Sequence, residues 1–250
     1  MIVLAVLLQL SIPAPVGYVN DFAGVLDSAS IRHMGAVIGE VRDKTRGEIA
    51  VVTLTDIGDR AASDVAVQIG RQWGVGAKGD AGDRAKNLGV VVLLVPRRNH
   101  QPGTGDIFIA TGRGAEGFLT DARTGRIRDA MVPLLAQEDY GKGLSLGVDL
   151  IASSFAAAFG VTIDSVEYAM PPPEAGLPRQ TLPIGWIIAV LILLVLVSRG
   201  RILWLPFWFL NQRGSGWGGG SWGGRGGGGG GFGGFGGGGG FSGGGAGGRF

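Results

Sequence analysis

The sequence predicts an α/β fold, a small mixed β-sheet sandwiched by helices, followed by one transmembrane helix and a disordered glycine-rich tail. Three observations carry that reading. Between Tyr18 and Phe159, segments of helical and strand period follow one another in the order αβα, a long loop, then ββαα. Leu182–Ser198 is an uninterrupted apolar run without a charge. Half of the 50 glycines fall between Gly214 and Gly248, which leaves the rest of the chain ordinary in composition.

The elements of the domain, residues 18–160, can be justified in turn. Asp27 or Ser28 caps a first helix whose apolar positions Ile31, Met34, Val37, Ile38 and Val41 share one face. "EIAVVTLTD" reads as a buried strand, and Ala61–Trp73 as a helix with Val65, Ile69 and Trp73 four residues apart. The glycine-rich loop "GVGAKGDAGDRAKN" leads into "LGVVVLLVP", the most strand-like stretch of the chain. A polar turn follows, and "DIFIAT" returns as its antiparallel partner. Two helices close the domain, one with Ile127, Ala130, Met131, Leu134 and Leu135 on its apolar face, the other spanning "GLSLGVDLIASSFAAAF".

Flanking segments place this domain at a membrane. Residues 1–17 contain the short apolar run Ile2–Leu10, readable as a secretory signal core or as a buried strand; the second apolar run downstream favours the signal. Residues 161–181 form a proline-rich stalk. Residues 182–198 cover ~25 Å as a helix, within the range of a membrane span. Arg199 and Arg201 follow at once, so the positive-inside bias puts the domain outside and the C-terminal flank in the cytoplasm. Residues 199–213 hold "ILWLPFWFL", an interfacial anchor or a tight hairpin. Residues 214–250 carry too little side chain to offset the chain entropy of glycine and are expected to be disordered, with Trp217, Trp222, Phe232, Phe235, Phe241 and Phe250 as weak stickers or as passengers.

Charge and composition exclude several classes. Tyr18–Tyr168 holds 16 Lys/Arg against 19 Asp/Glu, which is not the footprint of a nucleic-acid-binding domain. With no cysteine in the chain there is no disulfide, thiolate site or cysteine nucleophile. His33 lies in the first helix and His100 in a polar turn, neither within a catalytic constellation.

"TGRGAEG", residues 111–117, has the G-x-G-x-x-G spacing of a dinucleotide loop at Gly112, Gly114 and Gly117. Its context is wrong for one. It follows the third strand, "FLTDA" separates it from the next helix, and Glu138 and Asp139 fall in a turn between helices instead of ending a strand. No nucleotide cofactor is therefore expected. The carboxylates Glu116 and Asp121 among flexible glycines suit a hard divalent cation, Ca or Mg. An Arg113–Glu116 ion pair and a helix cap at Thr120 or Asp121 are the structural alternative.

"VNDFAGVLDSAS", "GEIAVVTL", "GRQWGVGAKG", "NLGVVVLLV" and "TGRGAEGFLTDA", in that order and with this architecture, resemble the TPM-domain family. The resemblance implies an extracytoplasmic α/β sandwich, with divalent-cation binding in some members and acid-phosphatase activity in others. Carried over motif by motif, it implies Asp21, Glu116 and Asp121 as metal ligands, with Asn87 and Arg113 as contacts to a ligand or phosphate. Where the family often has Asp-Asn-Gly before its central strand, this chain has "KNLGV". Two functions follow from the resemblance. One is a single-pass, membrane-anchored binding or assembly module for envelope or membrane proteins; the other is a metal-dependent acid phosphatase.

Overall fold

The computed structural model describes residues 12–79, 83, 86–167 and 234–250. Five strands form one mixed sheet in the order β1-β2-β3-β4-β5: Val19–Asp21, Glu48–Thr53, Gly89–Val95, Asp106–Gly112 and Phe241–Arg249. Strands β1, β2 and β3 run parallel, and β4 is antiparallel to both β3 and β5. The helices are α1 (Ser28–Thr45), α2 (Ala62–Trp73), α3 (Asp121–Leu135) and α4 (Tyr140–Phe159).

Strand period two sorts the core into two layers. Ile49, Val51, Val90, Val92, Leu94, Ile107 and Ile109 face α1, α3 and α4. Ala50, Val52, Val91, Leu93, Val95 and Ala110 face α2 on the other side. Both β2 and β3 are buried along their whole length, which is why they read as continuous apolar runs instead of alternating ones. The helix faces follow their spacing, with Met34, Val37, Ile38 and Val41 of α1 and Val65, Ile69 and Trp73 of α2 buried. On α3 the buried stripe narrows to Thr124, Ile127, Met131 and Leu135; Ala130 is exposed and Leu134 half-buried. Helix α4 is long and apolar enough to cross a membrane by length and composition, but here it packs against α1 and α3 as the core helix of the domain.

One strand is added and one expectation needs correcting. The first half of the domain runs β1-α1-β2-α2-β3 with parallel pairing. At three residues, β1 is too short to show a period, and its pairing to β2 makes it a strand. The glycine-rich tail is not disordered throughout, because residues 234–250 pack on the domain and supply β5. Glycine's chain entropy is offset there by the ladder to β4 and by Phe235, Phe241 and Phe250, all buried. The apolar run 2–10, the span 182–198, the segment 199–213 and the stalk beyond residue 167 lie outside the described residues. Residues 12–17 already touch the domain: Ile12 is buried and the Trp73 indole donates to the Pro13 carbonyl at 3.0 Å.

One contact predicts an acid response. Glu40 on α1 accepts from Lys44 Nζ (2.6 Å) and from the amides of Asp164 (2.8 Å) and Ser165 (2.9 Å), tying residues 164–165 to the helix. The Lys44 ammonium, then these amides, hold the carboxyl at about 2 instead of 4.5. A carboxyl depressed in the folded state contributes stability that is complete above the unfolded value and is lost as pH falls through the folded one. Glu40→Gln should therefore flatten the loss of stability between pH 4.5 and 2 in denaturant titrations. Curves parallel to wild type over that window would show that the contact contributes nothing.

Candidate cation-binding site

Strand β4 ends at Gly112, and a chain of turns carries the backbone to α3. Thr120 caps α3, its hydroxyl taking the Arg123 amide, so Asp121 is left in the first turn with an exposed side chain. Asp121 Oδ1 accepts from the Gly245 amide at 2.8 Å. Glu116 accepts from the Ser242 hydroxyl and not from Arg113, so the ion-pair alternative does not form among the described residues. Thr111, fully buried on β4, has a hydroxyl oxygen without a hydrogen-bond partner among the described residues. A methyl group placed on Gly244 would lie 3.0 Å from Glu116 Oε1, 3.2 Å from Thr111 Oγ1 and 3.5 Å from Asp121 Oδ1. Three side-chain oxygens thus lie around Gly244, and Glu116 and Asp121 line, with Thr120, Ser242 and Gly244, a hollow of about 370 Å³ that the buried Thr111 does not itself line.

Buried hydroxyls are rarely left unpaired, since each orphan costs ~1–3 kcal/mol. Two carboxylates and a hydroxyl form the hard-oxygen set that Ca or Mg takes, with backbone carbonyls and water to complete the shell. Glu116, Asp121 and Thr111 supply oxygens of that type. They are not a three-carboxylate cluster: among the described residues no group of three or more His, Cys, Asp or Glu side chains is placed to hold a metal.

Asp21 does not join them. The ladder sets Asp21 level with Thr53, Leu94 and Ile107, whereas Thr111 lies four residues further along β4 and three strands across. That separation is about 20 Å at ordinary sheet spacings. Asp21 instead accepts from the Thr53 hydroxyl (2.5 Å) and from the amides of Val25 (3.2 Å) and Leu26 (2.9 Å), fixing the turn into α1. The structure thus places Asp21 in that turn, apart from Glu116 and Asp121.

Asn87 and Arg113 lie at the same end of the sheet as the carboxylates. Asn87 adopts φ +56, a conformation asparagine tolerates, and its carbonyl receives the Gly114 amide at 3.1 Å. Arg113 is exposed, and its amide donates to the Gly240 carbonyl at 2.9 Å. His33 and His100 pair with carboxylates elsewhere, His33 Nε2 with buried Asp149 at 2.9 Å and His100 Nδ1 with Glu138 at 2.5 Å. At the opposite end, a hollow beside the C-terminal ends of the parallel strands holds Arg60, Arg98 and Arg249, all three engaged by Gln68, Asp56 and Asp106. Thr111 is the site residue that motif reasoning missed. It precedes Gly112, and nothing in its spacing distinguishes it from an ordinary strand threonine.

A mixed five-stranded sheet covered by four helices makes this an α/β domain. Residues 19–154 match the profile of the TPM domain, and the chain belongs to that family. The N-terminal domain of a protein from P. gingivalis, solved by NMR in solution, is 31% identical. That likeness has a TM-score of 0.49 and covers 58% of this chain and 86% of the other. The N-terminal domain of the cg2496 protein from Corynebacterium glutamicum is 20% identical with a TM-score of 0.41, over 66% of this chain and 93% of that one. No curated protein matches the chain.

Proposed function

We propose that this chain is a membrane-anchored, extracytoplasmic TPM domain that holds a divalent cation at Thr111, Glu116 and Asp121 and serves as a binding or assembly module for envelope or membrane proteins. The observation that carries this reading is that the unpartnered Thr111 hydroxyl and one oxygen of each carboxylate lie around Gly244. The cation would supply charge neutralisation and a fixed arrangement of the loop 112–120. Glu116 and Asp121 would hold it by their carboxylates, and Thr111 by its hydroxyl. The anchor is the apolar run 182–198.

Metal-dependent phosphomonoester hydrolysis ranks second, because both histidines are engaged away from the hollow and Arg113 does not face the carboxylates through an ion pair.

Titration of the detergent-solubilised full chain with calcium or magnesium, read as melting temperature, tests the first reading. An ion at a hundredfold excess over its Kd stabilises by ~2.7 kcal/mol, a rise of roughly 5–10 °C for a domain of this size. Thr111→Val should abolish the rise while leaving the metal-free protein as stable or more so, since it removes an unpaired buried hydroxyl. A rise that persists in a Glu116→Gln/Asp121→Asn variant would sink the site. EDTA-sensitive hydrolysis of an aryl phosphate, lost in Asp121→Asn, would move the phosphatase reading to first place.

A further inference from the structure

Strand β5 is seated like a bound peptide. Phe235 stacks on Trp73 at 6.0 Å and meets Tyr18 edge-on. Phe241 lies over Gly70 of α2, where a β-carbon would come within 2.5 Å of its ring. Phe250 lies over Gly105 in the same way, with the Arg97 guanidinium 5.8 Å from its centroid. Between these anchors the domain's side chains reach backbone groups of the segment. Arg71 Nη2 donates to Phe241 O at 2.7 Å, Arg128 Nη1 to Gly247 O at 2.6 Å and Arg97 Nε to Phe250 O at 3.3 Å. Glu48, 2% exposed, receives the Gly236 amide on both carboxylate oxygens at 2.9 and 2.8 Å.

The domain itself supplies the Gly76 amide at 2.7 Å and Arg42 Nε at 3.6 Å to this buried carboxylate, and the Gly236 amide completes its bonding, so an undocked segment would leave a buried charge less well compensated. The glycines of the segment complete the fit. Gly247 presses on the Phe108 ring and Gly240 on the Asn87 amide, leaving no room for side chains there. Backbone ladder bonds, pockets for spaced aromatics and small residues between them are the chemistry of strand addition to a sheet edge.

We propose that the β4 edge, flanked by α2 and α3, is a strand-acceptor groove for an extended glycine-rich segment with phenylalanine anchors. Its ligand is the chain's own residues 234–250, bound in cis. The consequence concerns topology. A strand paired in cis keeps the domain and residues 234–250 on the same side of any membrane that residues 168–233 enter. The charge reading that puts the tail in the cytoplasm and the domain outside cannot hold together with this pairing.

The chain lacks cysteine, so an engineered pair reports without background. A β-carbon on Gly125 of α3 would lie 4.0 Å from Ala246 Cβ and meet nothing else, within the ~3.5–4.5 Å range of a disulfide. Full-length Gly125→Cys/Ala246→Cys, oxidised by a diffusible oxidant in intact cells and thiol-blocked before lysis, should run as a cross-linked monomer in most molecules. Phe241→Asp in that background should reduce cross-linking at least tenfold. A covalent dimer would overturn docking in cis by assigning the strand to a second copy. A disulfide formed only after detergent lysis would overturn the shared compartment, and none under either condition would overturn the groove. The readout is independent of any cation, so failure of the cation site leaves it standing.

Discussion

Gly114→Ala is expected to cost the domain about 3 kcal/mol, whereas Gly117→Ala is expected to cost almost nothing. Both belong to the G-x-G-x-x-G stretch, and a phosphate-binding loop would demand its glycines for approach to a ligand. Here the demand comes from the protein itself. A β-carbon on Gly114 would fall under 3.0 Å from the Lys86 carbonyl oxygen, and one on Gly112 would lie 2.6 Å from the Asn87 oxygen. The obstacle is backbone in the turn that opens β3, which cannot swing aside as a side-chain tip can. Gly117 has nothing within 4 Å of that position. Thermal unfolding of the full chain should show a drop of roughly 10 °C for Gly114→Ala and almost none for Gly117→Ala. Equal drops, or a larger one at Gly117, would contradict close backbone packing as the reason for the motif.

Phe241→Ala should have the second large effect. Phe241 is 2% exposed, and its ring fills the space above Gly70 against α2. Truncating a buried phenylalanine costs ~3–5 kcal/mol when the site cannot collapse, and the concave surface at Gly70 has no side chain to fill the void. The loss cannot exceed the docking free energy of β5, because the strand can detach before the domain unfolds. The diagnostic is therefore local: hydrogen exchange should accelerate at the β4 amides that bond β5 while those of β2 and β3 stay protected. Uniform acceleration across the sheet would mean that β5 is integral to the fold. No change anywhere would mean that it is not docked.

Both predictions concern residues whose role is invisible until the chain is folded. Four helices and the strands β2, β3 and β4 were legible in the sequence, because burial on one face or two imposes periods of 3.6 residues or a continuous apolar run. The antiparallel return of β4 was legible too, from the short polar turn before it. For the candidate site, Glu116 and Asp121 were legible as carboxylates among glycines. That Asp21 lies apart from them was not legible, because motif order does not say which residues the sheet brings together. Thr111 was missed because an orphaned hydroxyl exists only where its surroundings are known.

What the sequence by itself determined about this protein is its class and layers, since hydrophobic period is a local property written in consecutive residues. Only the tertiary structure decided which acidic groups meet, because about 20 Å of sheet separate Asp21 from Thr111 whatever the motif spacing. It also decided that "FSGGGAGGRF" holds a strand. Those residues have almost no strand preference of their own. They form β5 because the β4 edge offers unpaired backbone groups, with glycine-floored space for Phe241 and Phe250 beside it.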